Sequence, residues 1–166
     1  MKPNNLSPQL VDKILNRLDL PGPPSIDIGG LTSVYRAWCR RVPFDNIRKR
    51  IHLDSKNPLP LPGYDDAEFF HGWLSTGVGG LCWAGNAALH ALMHALGFSC
   101  SLGTATMLID AIQPPNHGTV SVQLGGKLYL FDASIRHHTT VLLHPVKPER
   151  ITLPDWGRAC ATHRST

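Results

Sequence analysis

Cys82 is the residue of this chain best placed to act as a nucleophile. It follows Gly79-Gly80-Leu81 and stands where a helical pattern begins. Backbone N–H groups at a helix N-terminus stabilise a thiolate, and glycines let a substrate approach the main chain closely. The usual alternative for a free cysteine is a small buried hydrophobe. That is the reading for the other three: Cys39 beside Trp38 in a helical pattern, Cys100 in a strand pattern and Cys160 in a weakly patterned tail. A thiol nucleophile also needs a base, and the base needs an orienting group. His117 and Asp132 are candidates for those two roles.

The spacing of that pair follows from a hairpin. Gly125-Gly126 separates HGTVSVQL from KLYLFD, and a Gly-Gly pair suits a two-residue turn. With that turn Leu124 faces Lys127, and counting outward sets Thr119 opposite Asp132. His117 lies two residues further along and shares the face of Thr119, because strand side chains alternate with period two. His117 and Asp132 become diagonal neighbours, about 7–8 Å apart between backbones and within side-chain reach. Val120, Val122, Leu124, Tyr129 and Phe131 form the apolar face, so the polar pair is expected to project away from it. Taken singly, His117 also reads as a surface histidine and Asp132 as a strand-end cap. Taken together they complete a cysteine–histidine–aspartate triad. In that arrangement the thiolate attacks an acyl carbon, the imidazole moves the proton and the carboxylate holds the imidazole's tautomer.

The elements that must carry these residues are legible in part. Ser7-Pro8 is an N-cap and first-turn pair, and Leu10, Val11, Ile14, Leu15 and Leu18 recur at helical spacing within residues 6–20. Residues 30–41 read as a second helix with Leu31, Val34, Tyr35 and Trp38 on one face. PFDNIRKRI reads as a turn and short extended segment, 54–65 as a loop, and Tyr64 to Ser75 as a third helix with acidic residues at its start. The helix after Cys82 buries Leu89, Leu92, Met93 and Leu96 and stops at Gly97. Strands are expected over 98–109, 117–124 and 127–132. The predicted class is α+β: a helical region over 1–75, then a catalytic helix and an antiparallel, barrel-like sheet region over 76–166.

Composition narrows the functions. The 166 residues are 42% hydrophobic and suit a globular core, and the net charge of +4 mildly favours an anionic ligand. Charged residues make up 17%, which disfavours a long nucleic-acid surface. The basic run RAWCRRVPFDNIRKR lacks a recognition motif or stacking platform and reads as a solvated face, so no nucleic-acid partner is expected. Without a CxxC pair, zinc-ribbon and thioredoxin-like readings fail. His90 and His94 have a ligand-like spacing, but Ala91 stands where HExxH requires glutamate, so no metal is expected. GVGG is followed by Leu-Cys and not Lys-Ser/Thr, so it is no phosphate loop. Neither a secretion signal nor a membrane span is visible, and scattered free thiols suit the cytoplasm.

Several ordered motifs resemble one family. GGLCWAGNAALHALMHALGF resembles the catalytic-cysteine block of arylamine N-acetyltransferases, roughly RGGxCxExNxxF…LGF. VPFDNI looks like their PFEN motif, and HGTVSVQLGGKLYLFDAS looks like their histidine and aspartate strands. The resemblance runs over about residues 28–135. It implies a helical region, a β-barrel region and a C-terminal lid, with a cysteine-protease-like triad of Cys82, His117 and Asp132. It also implies ping-pong transfer of an acetyl group from acetyl-CoA, as co-substrate, through the cysteine to an arylamine, hydrazine or related small amine. Val78 and Ala84 stand where the family usually has arginine and glutamate, the glycine-rich continuation after the aspartate is lacking, and the lid is expected to be largely absent. The rival readings are a transglutaminase-like or papain-like thiol amide hydrolase, and an inactive remnant acting as a binding module.

Overall fold

The computed structural model describes residues 6–56, 58–107, 115–135, 141–143, 149–153 and 157–161, the last two runs by backbone alone. Helix α1 (Pro8–Leu18) starts as its cap requires: Ser7 Oγ accepts from Leu10 N at 3.2 Å, and Leu10, Ile14, Leu15 and Leu18 are buried. Helix α2 (Ile28–Arg41) begins two residues before its hydrophobic pattern does, because Asp27 Oδ1 accepts from Gly30 N at 2.8 Å. Helix α4 (Asp66–Thr76) is capped by Asp65 and buries Phe69, Phe70 and Trp73. Each such side chain, fully buried, stabilises the fold by about 1.5–3 kcal/mol.

One sequence expectation is corrected. The run after PFDN is not extended: Ile47–Asp54 forms helix α3. None of its residues is buried, and Ile47 and Ile51 face solvent. A helix without a buried stripe leaves no periodic signal; its turns rest on Arg, Lys and Leu propensity and on Asp45 Oδ1, which accepts from Ile47 N at 3.1 Å.

Helix α5 (Cys82–Ala95) opens on the candidate nucleophile. It ends with Gly97 at φ +91° and Phe98 N donating to Met93 O at 3.0 Å, which turns the chain into the sheet. Strands β1 (Ser99–Ala105), β2 (His117–Leu124), β3 (Lys127–Phe131) and β4 (Val141–Leu143) form an antiparallel sheet in sequence order. Strands β5 (Glu149–Leu153) and β6 (Gly157–Ala161) pair separately. The first strand is shorter than its sequence pattern, whose last residues, 108–109, fall outside the described ones. The tail, weakly patterned in sequence, supplies the last three strands.

The turn between β2 and β3 has Gly125 and Gly126 at φ +56° and +72°, the geometry of the tight hairpin. Leu124 faces Lys127 and Val120 faces Phe131, the register counted from the turn. Among the described residues the four-stranded sheet is open, with β1 and β4 at its edges, and does not close into a barrel. Four strands, one only three residues long, are too few to bring the edges together. One buried cluster joins the layers: Tyr35 meets Phe131 edge-on at 5.0 Å, and Trp38 stacks on Phe69 at 6.1 Å.

Candidate active site

His117 and Asp132 meet as the hairpin count requires. Nε2 of His117 lies 2.5 Å from Asp132 Oδ2, and the two residues are 5% and 1% exposed. Alternation along β2 sets His117 on the face away from Val120 and Val122, yet it is buried. The other carboxylate oxygen, Oδ1, accepts from Ser134 N at 2.8 Å and Ile135 N at 3.2 Å. These bonds fold the chain into a turn just past β3 and fix the carboxylate plane. The Asp132 carbonyl accepts from Tyr35 Oη at 2.8 Å, a bond that crosses from α2 to the sheet. Burial pushes the Tyr35 phenol far above its ordinary pKa, so it donates throughout the working pH range.

Cys82 is partly exposed at the first position of α5. Among the described residues no hydrogen bond joins its Sγ to the His117 ring. The two segments nonetheless pack directly. A Cβ added at Gly118, beside His117, would lie 3.0 Å from Trp83 Cε3 and 3.6 Å from Cys82 O. Helix α5 thus starts against the first residues of β2.

The glycines before Cys82 are held by the PFDN segment. Gly79 N donates to Asp45 Oδ2 at 2.9 Å, Asp45 N to Gly80 O at 3.3 Å, and Phe44 bridges Gly80. A Cβ at Gly79 would fall 1.8 Å from Pro43 O, so only glycine permits this approach. The two motifs singled out separately in the sequence are one structural unit.

The substitution of alanine at 84 also has a local setting. The loop before α4 packs onto it, with a Cβ at Gly63 only 2.6 Å from Ala84 Cβ. Glu68 holds that loop: Oε2 accepts from Gly63 N at 2.6 Å, and Oε1 pairs with Arg48. Leu61, Tyr64, Gly80, Leu81, Trp83 and Ala84 line a cavity of about 310 Å³ beside the Cys82 segment.

Asn86, quoted in the cysteine motif without a role, is fully buried and hydrogen-bonded to three chain segments at this site. The signal available in sequence was its position four residues after Cys82, on the same face of α5. Tyr35 read only as a core residue. The remaining thiols lie elsewhere: Cys39 is buried, and burial pushes the Cys100 thiol up to about 11. Cys160 falls in β6, whose side chains lie outside the described residues. The His90 and His94 rings are 6.3 Å apart, and among the described residues no third metal-ligating group joins them. Among the described residues no helix is long and apolar enough to cross a membrane.

A fold of this kind has counterparts among known proteins. The sequence model of the N-acetyltransferase family matches residues 27–154, most of the chain, and the chain belongs to that family. Among solved structures it is similar to the arylamine N-acetyltransferase C of Bacillus anthracis, at 20% identity and a TM-score of 0.70, over 95% of this chain and 60% of that one. The M. smegmatis arylamine N-acetyltransferase is 24% identical with a TM-score of 0.66, over 84% of this chain and 52% of its own. An arylamine N-acetyltransferase of Bacillus cereus, at 20% identity and a TM-score of 0.67 over 88% and 56%, carries a Cys-His-Glu catalytic triad. The chain spans between about half and three-fifths of the length of these structures. No curated protein matches it.

Proposed function

We propose that the chain transfers an acetyl group from acetyl-CoA to a small arylamine, hydrazine or related amine, through a thioester on Cys82. The observation that carries this reading is the buried His117–Asp132 contact at 2.5 Å, adjoining the start of α5. Nε2 of His117 is committed to Asp132, which leaves Nδ1 as the nitrogen that exchanges a proton with Cys82. Catalytic hydrogen bonds are often loose in an unliganded site and tighten on substrate.

In the first half-reaction the Cys82 thiolate attacks the acetyl carbonyl carbon. The C–S bond to CoA breaks, and His117 gives the departing sulfur the proton it took from Cys82. In the second half the amine attacks the thioester carbon and yields a proton to His117. The C–S bond to Cys82 breaks, and that proton returns to the thiolate. Asp132 stabilises the imidazolium in both halves. The cavity beside Cys82, with its Tyr64 and Trp83 walls, suits an aromatic acceptor.

The PFDN–GGLC unit favours the transferase over a thiol hydrolase, which shares only the triad logic. The test is incubation with acetyl-CoA followed by mass spectrometry. A single acetyl on Cys82, absent from Cys82→Ser and discharged by an arylamine, is expected. An unmodified, folded protein would refute the transferase reading. We also place the enzyme in the cytoplasm, in keeping with its free thiols.

A further inference from the structure

Hairpin β2–β3 loses its backbone ladder just where the candidate site begins. The last paired residues are Val120 and Phe131. In an antiparallel ladder, pairs that exchange both N–H···O bonds alternate with pairs that exchange none. Counting outward from the tight turn, Leu124–Lys127, Val122–Tyr129 and Val120–Phe131 fall in the bonded set, and the next bonded pair would be Gly118 with Ala133. The side chain of Asn86 stands between those two residues. Its Oδ1 accepts from Ala133 N at 2.9 Å, and its Nδ2 donates to Gly118 O at 2.7 Å. The same Nδ2 donates to Cys82 O at 3.0 Å. The partners fix which end of the amide is which, because Ala133 N can only donate and both carbonyls can only accept.

We infer that Asn86 is a positioning residue. Its carboxamide is inserted like a peptide group between two strand ends, and it sets the spacing of all three candidate catalytic residues at once. Each of its partners is a triad residue or the neighbour of one: Cys82 itself, Gly118 after His117, and Ala133 after Asp132. The insertion splays β2 from β3 while leaving Ala133 N and Gly118 O paired. It also ties the first turn of α5 to the opening. An asparagine fits this task because it supplies a planar donor and acceptor of main-chain geometry. Aspartate has the same shape but no donor for the two carbonyls.

The inference rests on the assignment of Cys82, His117 and Asp132 to one site, but not on the reaction they perform. Its test uses the full chain with Asn86→Asp, which keeps the volume and the bond to Ala133 N, and Asn86→Ala. Leu89→Ala, a core truncation on the same helix, controls for lost stability. The first readout is the far-downfield NMR proton of the short His117–Asp132 bond, recorded in a Cys82→Ser background. It should persist in Leu89→Ala and be shifted or lost in Asn86→Asp. The second is the pH profile of Cys82 alkylation by iodoacetamide. A displacement near 1 Å costs up to about 100-fold in rate, and both Asn86 variants should slow alkylation at neutral pH by about 10- to 100-fold, Leu89→Ala by little. An unchanged resonance and profile in Asn86→Asp overturns the inference, as does the absence of the resonance from the Cys82→Ser reference. The resonance moving while acetyl-CoA leaves no adduct on the parent chain supports the positioning role and removes the transferase reading alone.

Discussion

Gly79→Ala tests most directly whether the PFDN segment sets the position of Cys82. The added methyl would lie 1.8 Å from Pro43 O and 2.8 Å from Pro43 C, both backbone atoms that no rotamer change can remove. Ordinary contacts of this kind are about 3.2 Å or longer, so one segment must retreat by more than an ångström. That breaks the Gly79 N–Asp45 Oδ2 and Asp45 N–Gly80 O bonds. Two hydrogen bonds at about 1 kcal/mol net each, with overpacking of about 1–3 kcal/mol, give a loss of about 3–5 kcal/mol. For a domain of this size that lowers Tm by about 6–20 °C. The shift also moves the start of α5 relative to His117, and Cys82 alkylation should slow by about 10- to 100-fold. Urea denaturation and timed iodoacetamide labelling measure the two effects on one preparation. A variant within about 0.5 kcal/mol of the parent, labelled at the parental rate, would show that the two motifs are not clamped together.

Asp132→Asn should leave the fold near intact but lower acetyl transfer by about 10³- to 10⁴-fold, because the imidazole loses its tautomer-fixing carboxylate; steady-state rates check this. Tyr35→Phe strands the buried carbonyl of Asp132 and should cost about 1–3 kcal/mol in chemical denaturation. Burial holds the His90 imidazole below its ordinary 6.5, with Nε2 left unpartnered. The unfolded chain therefore binds a proton that the folded chain resists. Stability linked to His90 is full above pH 6.5 and falls as pH drops below it, so His90→Gln should flatten the acid side of a Tm–pH curve. With the Cys100 thiol near 11, peptide mapping after mild alkylation at pH 8 should find Cys82 modified and Cys100 spared.

The hairpin was legible because its information is local. Two glycines fixed the turn, and period-two alternation then placed His117 and Asp132 on one face without further input. The cysteine's helix was legible for the same reason, through Leu89, Leu92 and Met93. Helix α3 was not, because it buries no apolar side chain and its start depends on Asp45. The role of Asn86 was hidden for another reason: two of its three partners are main-chain atoms 32 and 47 residues away, and backbone groups carry no sequence signature. The burial of His117 likewise comes from the packing of separate elements and not from its own strand, whose alternation pointed only to the face away from the apolar residues.

The loop seated on Ala84 gives the site two masters. His117 and Asp132 hang from the aromatic interior through Tyr35 and the hairpin. The cavity wall at Leu61 and Tyr64 hangs instead from a half-buried ion pair, Arg48 with Glu68, and one amide of Gly63. Changes in that wall leave the proton relay's supports untouched. A lineage, or an engineer, can vary residues 58–62 and so reshape the cavity, with the hydrogen bonds that hold His117 and Asp132 anchored elsewhere.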